Sequence, residues 1–243
     1  MSHVERTYRH RIHSDLTQFW VRLGESDLCI SADQVLRTQA EAALRQCRAE
    51  LEAYLRRDPA FGTALGPVEP KAGAPTIALA MAKAARLAEV GPMAAVAGAI
   101  AEQVGTTLLG YASEVIVENG GDIFLSLRRP RTVAIFAGAS SVSERIGLAL
   151  KPEQTPVGVC TSSRTVGPSL SFGCADAATI VASPAALADA AATALGNAVK
   201  GSETVQQALD LVAAIPGVRG AVVILGDQIG AWGEIELVPL SRP

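Results

Sequence analysis

Three short segments carry the residue types that chemistry needs. The first is VENGGDIF, residues 117–124, where Asn119-Gly120-Gly121-Asp122 interrupts a run of β-branched and large apolar side chains. Paired glycines let the backbone take positive φ and approach a ligand closely, presenting N–H groups to an anion, and Asn119 and Asp122 add short polar handles. The same tetrapeptide also reads as an ordinary tight hairpin turn. The second segment is PVGVCTSSRTVGPSLSFGCADA, residues 156–177, in which an apolar run ends on the hydroxyls of Thr161, Ser162 and Ser163. Hydroxyls at a strand end can bond phosphate oxygens or a ring carbonyl, although such clusters also form plain loops. Cys160 in the same run is a candidate nucleophile, or a partner for Cys174 across a hairpin, but no basic group stands nearby in sequence to favour a thiolate, so a packed thiol is the simpler reading. The third segment is ALADAAATALGNAV, residues 186–199, where Asp189 and Thr193 stand at i and i+4 and so share one helix face. A carboxylate and a hydroxyl are hard oxygen donors of the kind magnesium takes. Alternatively Asp189 only serves the first turn of its own helix, where its charge suits the macrodipole.

The elements that must hold these segments follow from the pattern of apolar residues. Alternation in TYRHRI and FWVRLGESDLCIS, over residues 7–31, predicts two or three strands joined by a hairpin with Gly24 and Asp27 at turns. From Asp33 the spacing of Val35, Leu36, Leu44, Cys47, Leu51, Tyr54 and Leu55 predicts a long helix capped by Asp33 and ended by Pro59, with Arg56 and Arg57 at its negative end. The Pro- and Gly-rich stretch 58–75 reads as a loop or the one internal sub-boundary of a single domain spanning 1–243. Two alanine-rich helices are expected at 76–89 and 92–104, the second opened by Pro92. Strands are expected at SEVIVE, DIFLSL and TVAIFAG, helices at 184–198 and 203–213, and an antiparallel meander over 218–238. The sum is an α+β protein.

Composition removes several classes of function. At 243 residues and 49% hydrophobic content the chain can bury a large core. A formal net charge of −3 gives no cationic field for phosphate backbones, and 4% aromatics leave few stacking platforms, so neither duplex nor single-stranded nucleic acid is an expected partner. No apolar stretch reaches the roughly 20 residues that span a bilayer, and the polar N-terminus with Arg6, Arg9 and Arg11 lacks the apolar core of a signal peptide, so a cytoplasmic address is expected. Four scattered cysteines read as thiols. All histidines, His3, His10 and His13, stand at the N-terminus, which leaves the rest of the chain without an imidazole for a triad or zinc site. The alanine-rich faces suit packing within one subunit or between two, so a homodimer is one expectation.

Taken in order, the three segments resemble the ApbE flavin transferases, which move the FMN part of FAD onto a protein Ser or Thr. VENGGDIF resembles that family's N-A-G-G-D segment, GVCTSS its G-V-A-T-S-G segment, and LADAAATAL its A-D-A-L-A-T-A-L motif, over roughly residues 90–200. More closely, GPMAAVAGAIAE, VENGGDIF, GVCTSS and ADAAATALGN together resemble the UPF0280 group of ApbE-like proteins over nearly the whole chain. The resemblance implies an ApbE-like, T-fold-like arrangement of mixed sheets packed with helices, and a flavin or other diphosphate ligand, FAD or FMN, held by Asn119, Gly120, Gly121, Asp122, Cys160, Thr161, Ser162 and Ser163. It implies magnesium ligation by Asp189, Thr193 and the backbone oxygen of Ala95, with Asp189 as the catalytic carboxylate, and a protein acceptor. Departures accompany it. Pro92 or Met93, and Ala97, stand where the family's K-G-Y-A-V-D has Lys and Asp, Arg164 and Pro168 stand where UPF0280 proteins are expected to have glycine and histidine, and little in residues 1–75 matches the transferases' longer N-terminal portion. These departures keep open a non-catalytic flavin-binding accessory protein, and Cys160 and Cys174 keep open a thiol-dependent protein of sulfur or redox metabolism.

Overall fold

The computed structural model describes residues 15–163 and 172–240. The strand expected over residues 7–12, the three histidines, Arg164 and Pro168 lie outside them.

Strands β1 (Thr17–Leu23) and β2 (Ser26–Ala32) form the expected hairpin, with Gly24 at φ 56° in its turn. Helix α1 (Arg37–Arg57) buries Ala40, Ala43, Leu44, Cys47, Leu51 and Tyr54, the one-sided stripe its sequence predicts. Asp33 does not cap it. Leu36 precedes the first turn without a side-chain cap, and the Asp33 carboxylate accepts hydrogen bonds from the Ser113 amide at 3.0 Å and hydroxyl at 2.7 Å. A capping side chain must sit immediately before the helix, and Gln34, Val35 and Leu36 separate Asp33 from it. In the stretch 58–75 a short helix α2 (Pro59–Thr63) lays Phe61 edge-on against Tyr54 at 5.1 Å, and the buried Asp58 pairs with Lys71 at 3.0 Å.

Helix α3 (Thr76–Ala88) ends at Glu89 in the left-handed region, and a 3₁₀ turn over Pro92–Ala95 leads into α4 (Val96–Leu108). Among the described residues no single helix is long and apolar enough to cross a membrane, and the pair α3 and Pro92–Leu108, which passes only when taken together, is bent by 105°. Then come β3 (Val115–Asn119), β4 (Asp122–Ser126), β5 (Arg131–Ala134), β6 (Ile146–Leu150), β7 (Val157–Ser162) and β8 (Ala177–Ala182). Helices α5 (Ala185–Ala198) and α6 (Val205–Ala213) precede β9 (Val218–Leu225), β10 (Gln228–Gly233) and β11 (Leu237–Pro239).

Eight strands form one antiparallel sheet in the order β1-β2-β3-β4-β7-β8-β9-β10, and β11-β6-β5 form a second, smaller one. The expected C-terminal meander therefore holds for β9 and β10 only; β11 leaves the large sheet to pair with β6. The helices cover one face of the large sheet, burying the core that contains Val117, Phe124, Cys160, Ile180 and Leu187. The other face packs Leu125, Val157, Val159, Val181 and Ile224 against Ile135, Leu148 and Leu150 of the small-sheet side. Because successive strand residues point to opposite faces, this sandwiching decides which residues of the three segments can meet.

Candidate functional site

Asn119 and Asp122 are directly paired across a two-residue connection, with Gly120 at φ 74° and Gly121 at φ 110°. Both central residues need positive φ in the turn that matches strand twist, and only glycine takes it without strain. The hairpin is thus real, and its two flanking polar residues turn toward the helices. Asn119 lies on the strand face of Val115 and Val117, toward the helices, and its Nδ2 donates to the Ala97 carbonyl at 3.2 Å. Asp122 stands opposite Cys160 in the β4–β7 register, on the same side as Phe124.

Helix α5 supplies Asp189 from above. Its Oδ2 accepts the Gly98 amide at 2.8 Å, in the first turn of α4. Asp189 is the fifth residue of α5, so it does not serve its own helix's first turn; it serves that of the neighbouring helix. The close approach requires glycine at 98, where a Cβ would come within 2.4 Å of the Ala185 carbonyl and 2.9 Å of the Asp189 Cβ. Burial holds the Asp189 carboxyl well above the usual carboxylate range, and the charge of Asp122 raises it further, against the amides of Gly98 and Ala97 that favour the ionised form. Two carboxylates from distant parts of the chain, 122 and 189, therefore act on one another in a confined space.

The hydroxyls divide. Ser162 faces α5, close to Gly196, whereas Thr161 shares the opposite face with Val157 and Val159 and hydrogen-bonds the Thr179 hydroxyl at 2.9 Å. Ser163 is buried just past the strand end. Cys160 is fully buried with its thiol donating to the Ala185 carbonyl at 3.6 Å. Burial pushes that thiol up, and the charges of Asp122 and Asp189 push it further, the reverse of what a nucleophilic thiolate needs. None of the four cysteines is joined in a disulfide, and Cys174 is only partly buried.

Thr193 stands one turn beyond Asp189 on α5 and is partly buried; Ala95 is buried at the end of the 3₁₀ turn that enters α4. Among the described residues no three His, Cys, Asp or Glu side chains gather as metal ligands. A magnesium ion here would draw on carboxylate, hydroxyl and backbone oxygens together, which is the hard-donor set this ion prefers. A cation here would offset the burial that chiefly holds Asp189 up and the neighbouring charge of Asp122 that adds to it.

The model of the family described as AbpE bacteria matches residues 9–236. The chain belongs to this AbpE family. Among its relatives, the UPF0280 protein of Methanosarcina barkeri is 44% identical over 220 residues, covering 89% of this chain and 87% of the relative. That of Methanosphaerula palustris is 48% identical over 197 residues, 81% of each. Among solved structures, the apo form of the Pseudomonas stutzeri flavinyl transferase ApbE superposes with a TM-score of 0.60 at 14% identity, over 90% of this chain and 94% of that one. The flavin transferase ApbE from Vibrio cholerae gives a TM-score of 0.61 at 12% identity, over 90% and 97%. At such identities the likeness establishes the fold, and the expected α+β, ApbE-like architecture is the one observed.

Two residues of this AbpE family member stand at the site without having been singled out in the sequence. Gly98 is the donor to Asp189, and Glu102, one turn further along α4, accepts the amides of Ala185 at 2.9 Å and Ala186 at 3.4 Å at the start of α5. Neither α4 nor α5 has a local side-chain cap. Each is capped by the other's carboxylate instead, Asp189 on α4 and Glu102 on α5. Pro92 and Pro184 mark the two starts in the sequence but bring no capping side chain, and nothing local pairs Glu102 with α5 or Asp189 with α4.

Proposed function

We propose that this protein binds a flavin nucleotide, FAD or FMN, or another diphosphate ligand, together with magnesium, as an FMN transferase-type protein with a Ser or Thr of a protein as acceptor. The observation that carries the reading is the convergence of Asp189, Asp122 and Asn119 with the Gly120-Gly121 turn, at the place where α4 begins. Asp189 with Thr193 would hold the metal, aided by the backbone oxygen of Ala95; the turn amides and Ser162 would face the ligand's polar oxygens. Bound magnesium would supply charge neutralisation at the diphosphate. The chain's own contribution is to fix Asp189 through the Gly98 amide, so that its remaining oxygen is presented in one orientation, and to exclude water by burial.

One observation favours a second reading, flavin binding without transfer. Position 97, where the transferase pattern carries an aspartate, contributes an alanine whose backbone groups bond Asn119 and Asp189. No side-chain acid or base stands there, and general acid–base help is worth about two or more powers of ten in rate. Calorimetric titration with FAD and FMN, with and without magnesium, tests the shared part. Binding that strengthens with magnesium and loses that dependence in Asp189→Asn is expected; no binding of either flavin to the unaltered chain sinks the proposal. Transfer of FMN to a Ser- or Thr-containing acceptor peptide then separates enzyme from accessory protein.

A further inference from the structure

Helix α5 continues past the proposed metal site along one ridge. Asp189, Thr193 and Asn197 follow each other at i, i+4 and i+8, a row about 12 Å long at 1.5 Å per residue. The strand end at Ser162 runs beside it at Gly196. At the far end of this row the Asn197 Oδ1 accepts the Phe172 amide at 2.9 Å, and Lys200 Nζ donates to the Phe172 carbonyl at 2.7 Å. The next residue, Gly173, is wedged so closely against α5 that a Cβ there would stand 1.7 Å from the Gly196 carbonyl. The backbone of Phe172 is therefore gripped on both sides, while the residue keeps 58% of its surface exposed. A large aromatic left in water normally needs no account. Here, however, two side chains and a glycine contact fix its backbone against the same helix row that carries the proposed metal ligands, and the chain holds only five phenylalanines.

We infer that Phe172 is the stacking platform for the planar ring of the ligand, with Asn197 as the residue that positions it. The inference rests on the flavin reading above and names which part of the ligand each end of the α5 row would take. The Asp189–Thr193 end takes the metal and diphosphate. The Phe172 end, roughly two turns of helix away, takes the isoalloxazine ring, because a π face recognises any flat ring system through stacking. The separation of about 12 Å suits a ligand with a charged centre and a ring joined by an extended linker.

The test is binding of FAD, FMN and ADP, each with magnesium chloride, to the unaltered chain and to Phe172→Ala, Phe172→Trp and Asn197→Ala. Phe172→Ala is expected to weaken FAD and FMN by about tenfold or more, on the scale of one stacked ring, and to leave ADP within about twofold. Phe172→Trp restores flavin affinity and quenches flavin fluorescence more strongly, and Asn197→Ala loses part of the flavin affinity while ADP is again spared. If Phe172→Ala binds FAD and FMN as the unaltered chain does, the inference is overturned while the flavin reading stands. Equal loss for ADP and the flavins overturns it too, since that points to general damage at the site. If the unaltered chain binds neither flavin, the reading beneath it fails instead.

Discussion

Replacing Gly98 by alanine probes the contact on which the site is built. The added Cβ would lie 2.4 Å from the Ala185 carbonyl oxygen, 3.0 Å from its carbonyl carbon and 2.9 Å from the Asp189 Cβ. Two of these are backbone atoms of α5 and have no rotamer to escape into. Comfortable contact between such atoms is about 3.5 Å, so α5 must retreat by roughly 1 Å. That movement stretches the 2.8 Å bond from the Gly98 amide to Asp189 beyond useful length. Overpacking costs about 1–3 kcal/mol, and a lost hydrogen bond to a charged group about 1.5–3 kcal/mol. Against this, alanine is favoured over glycine in a helix by up to about 1 kcal/mol. The crowding wins, and a net loss of about 2–4 kcal/mol is expected, which lowers Tm by roughly 5–15 °C in a chain of this size. Urea unfolding followed by far-UV circular dichroism measures it, with Gly66→Ala as control because nothing lies within 4 Å of a Cβ there. If Gly98→Ala is as stable as the control, the close approach of α4 and α5 is not what holds Asp189.

Asp189→Asn should stabilise the metal-free protein by about 1 kcal/mol at neutral pH, as expected when an isosteric change removes strain at a functional site. The sign follows from the raised carboxyl: the folded state disfavours ionisation, so stability is fullest below the ordinary value of 3.8 and falls as pH rises from there through the raised folded value. That slope, read from urea midpoints at a series of pH values, should vanish in the variant; an unchanged slope refutes the assignment. Thiol titration of the native protein with an aromatic disulfide should report Cys174 alone, because Cys29, Cys47 and Cys160 are buried and burial pushes Cys47 up to about 12. Fast reaction of a second thiol before unfolding would contradict this. Glu102→Ala should cost about 1–2 kcal/mol through the uncapped start of α5. Combined with Asp189→Ala it should give a non-additive total, since the two carboxylates brace the same helix pair; a strictly additive double variant would show that the caps act independently.

Much of this was legible in the chain. Paired glycines between β-branched runs identified the β3–β4 hairpin, and Pro184 marked the start of α5 within one residue. Strand β8 was not foreseen, because AATIVA is buried on both faces and so shows no alternation to betray it. The hydroxyls of 161–163 read as one group, but register sends Thr161 to Thr179 and Ser162 to α5, and register is a property of the partner strand. Gly98 and Glu102 act on residues more than eighty positions away, 91 and 83 along the chain; no local pattern encodes such a partner. Asp33 misled for the opposite reason, since its local capping pattern was plausible and a distant serine, Ser113, took its carboxylate instead.

The exchange of carboxylates between α4 and α5 has a mechanical meaning. Each helix start is secured by a fastener mounted on the other, so removing the Asp189 carboxylate would loosen the beginning of α4 while Glu102 still grips α5. Asp189→Ala would then be felt as faster amide exchange at Gly98 with little change at Ala185 and Ala186, so that of two adjoining helix starts only one reports the loss.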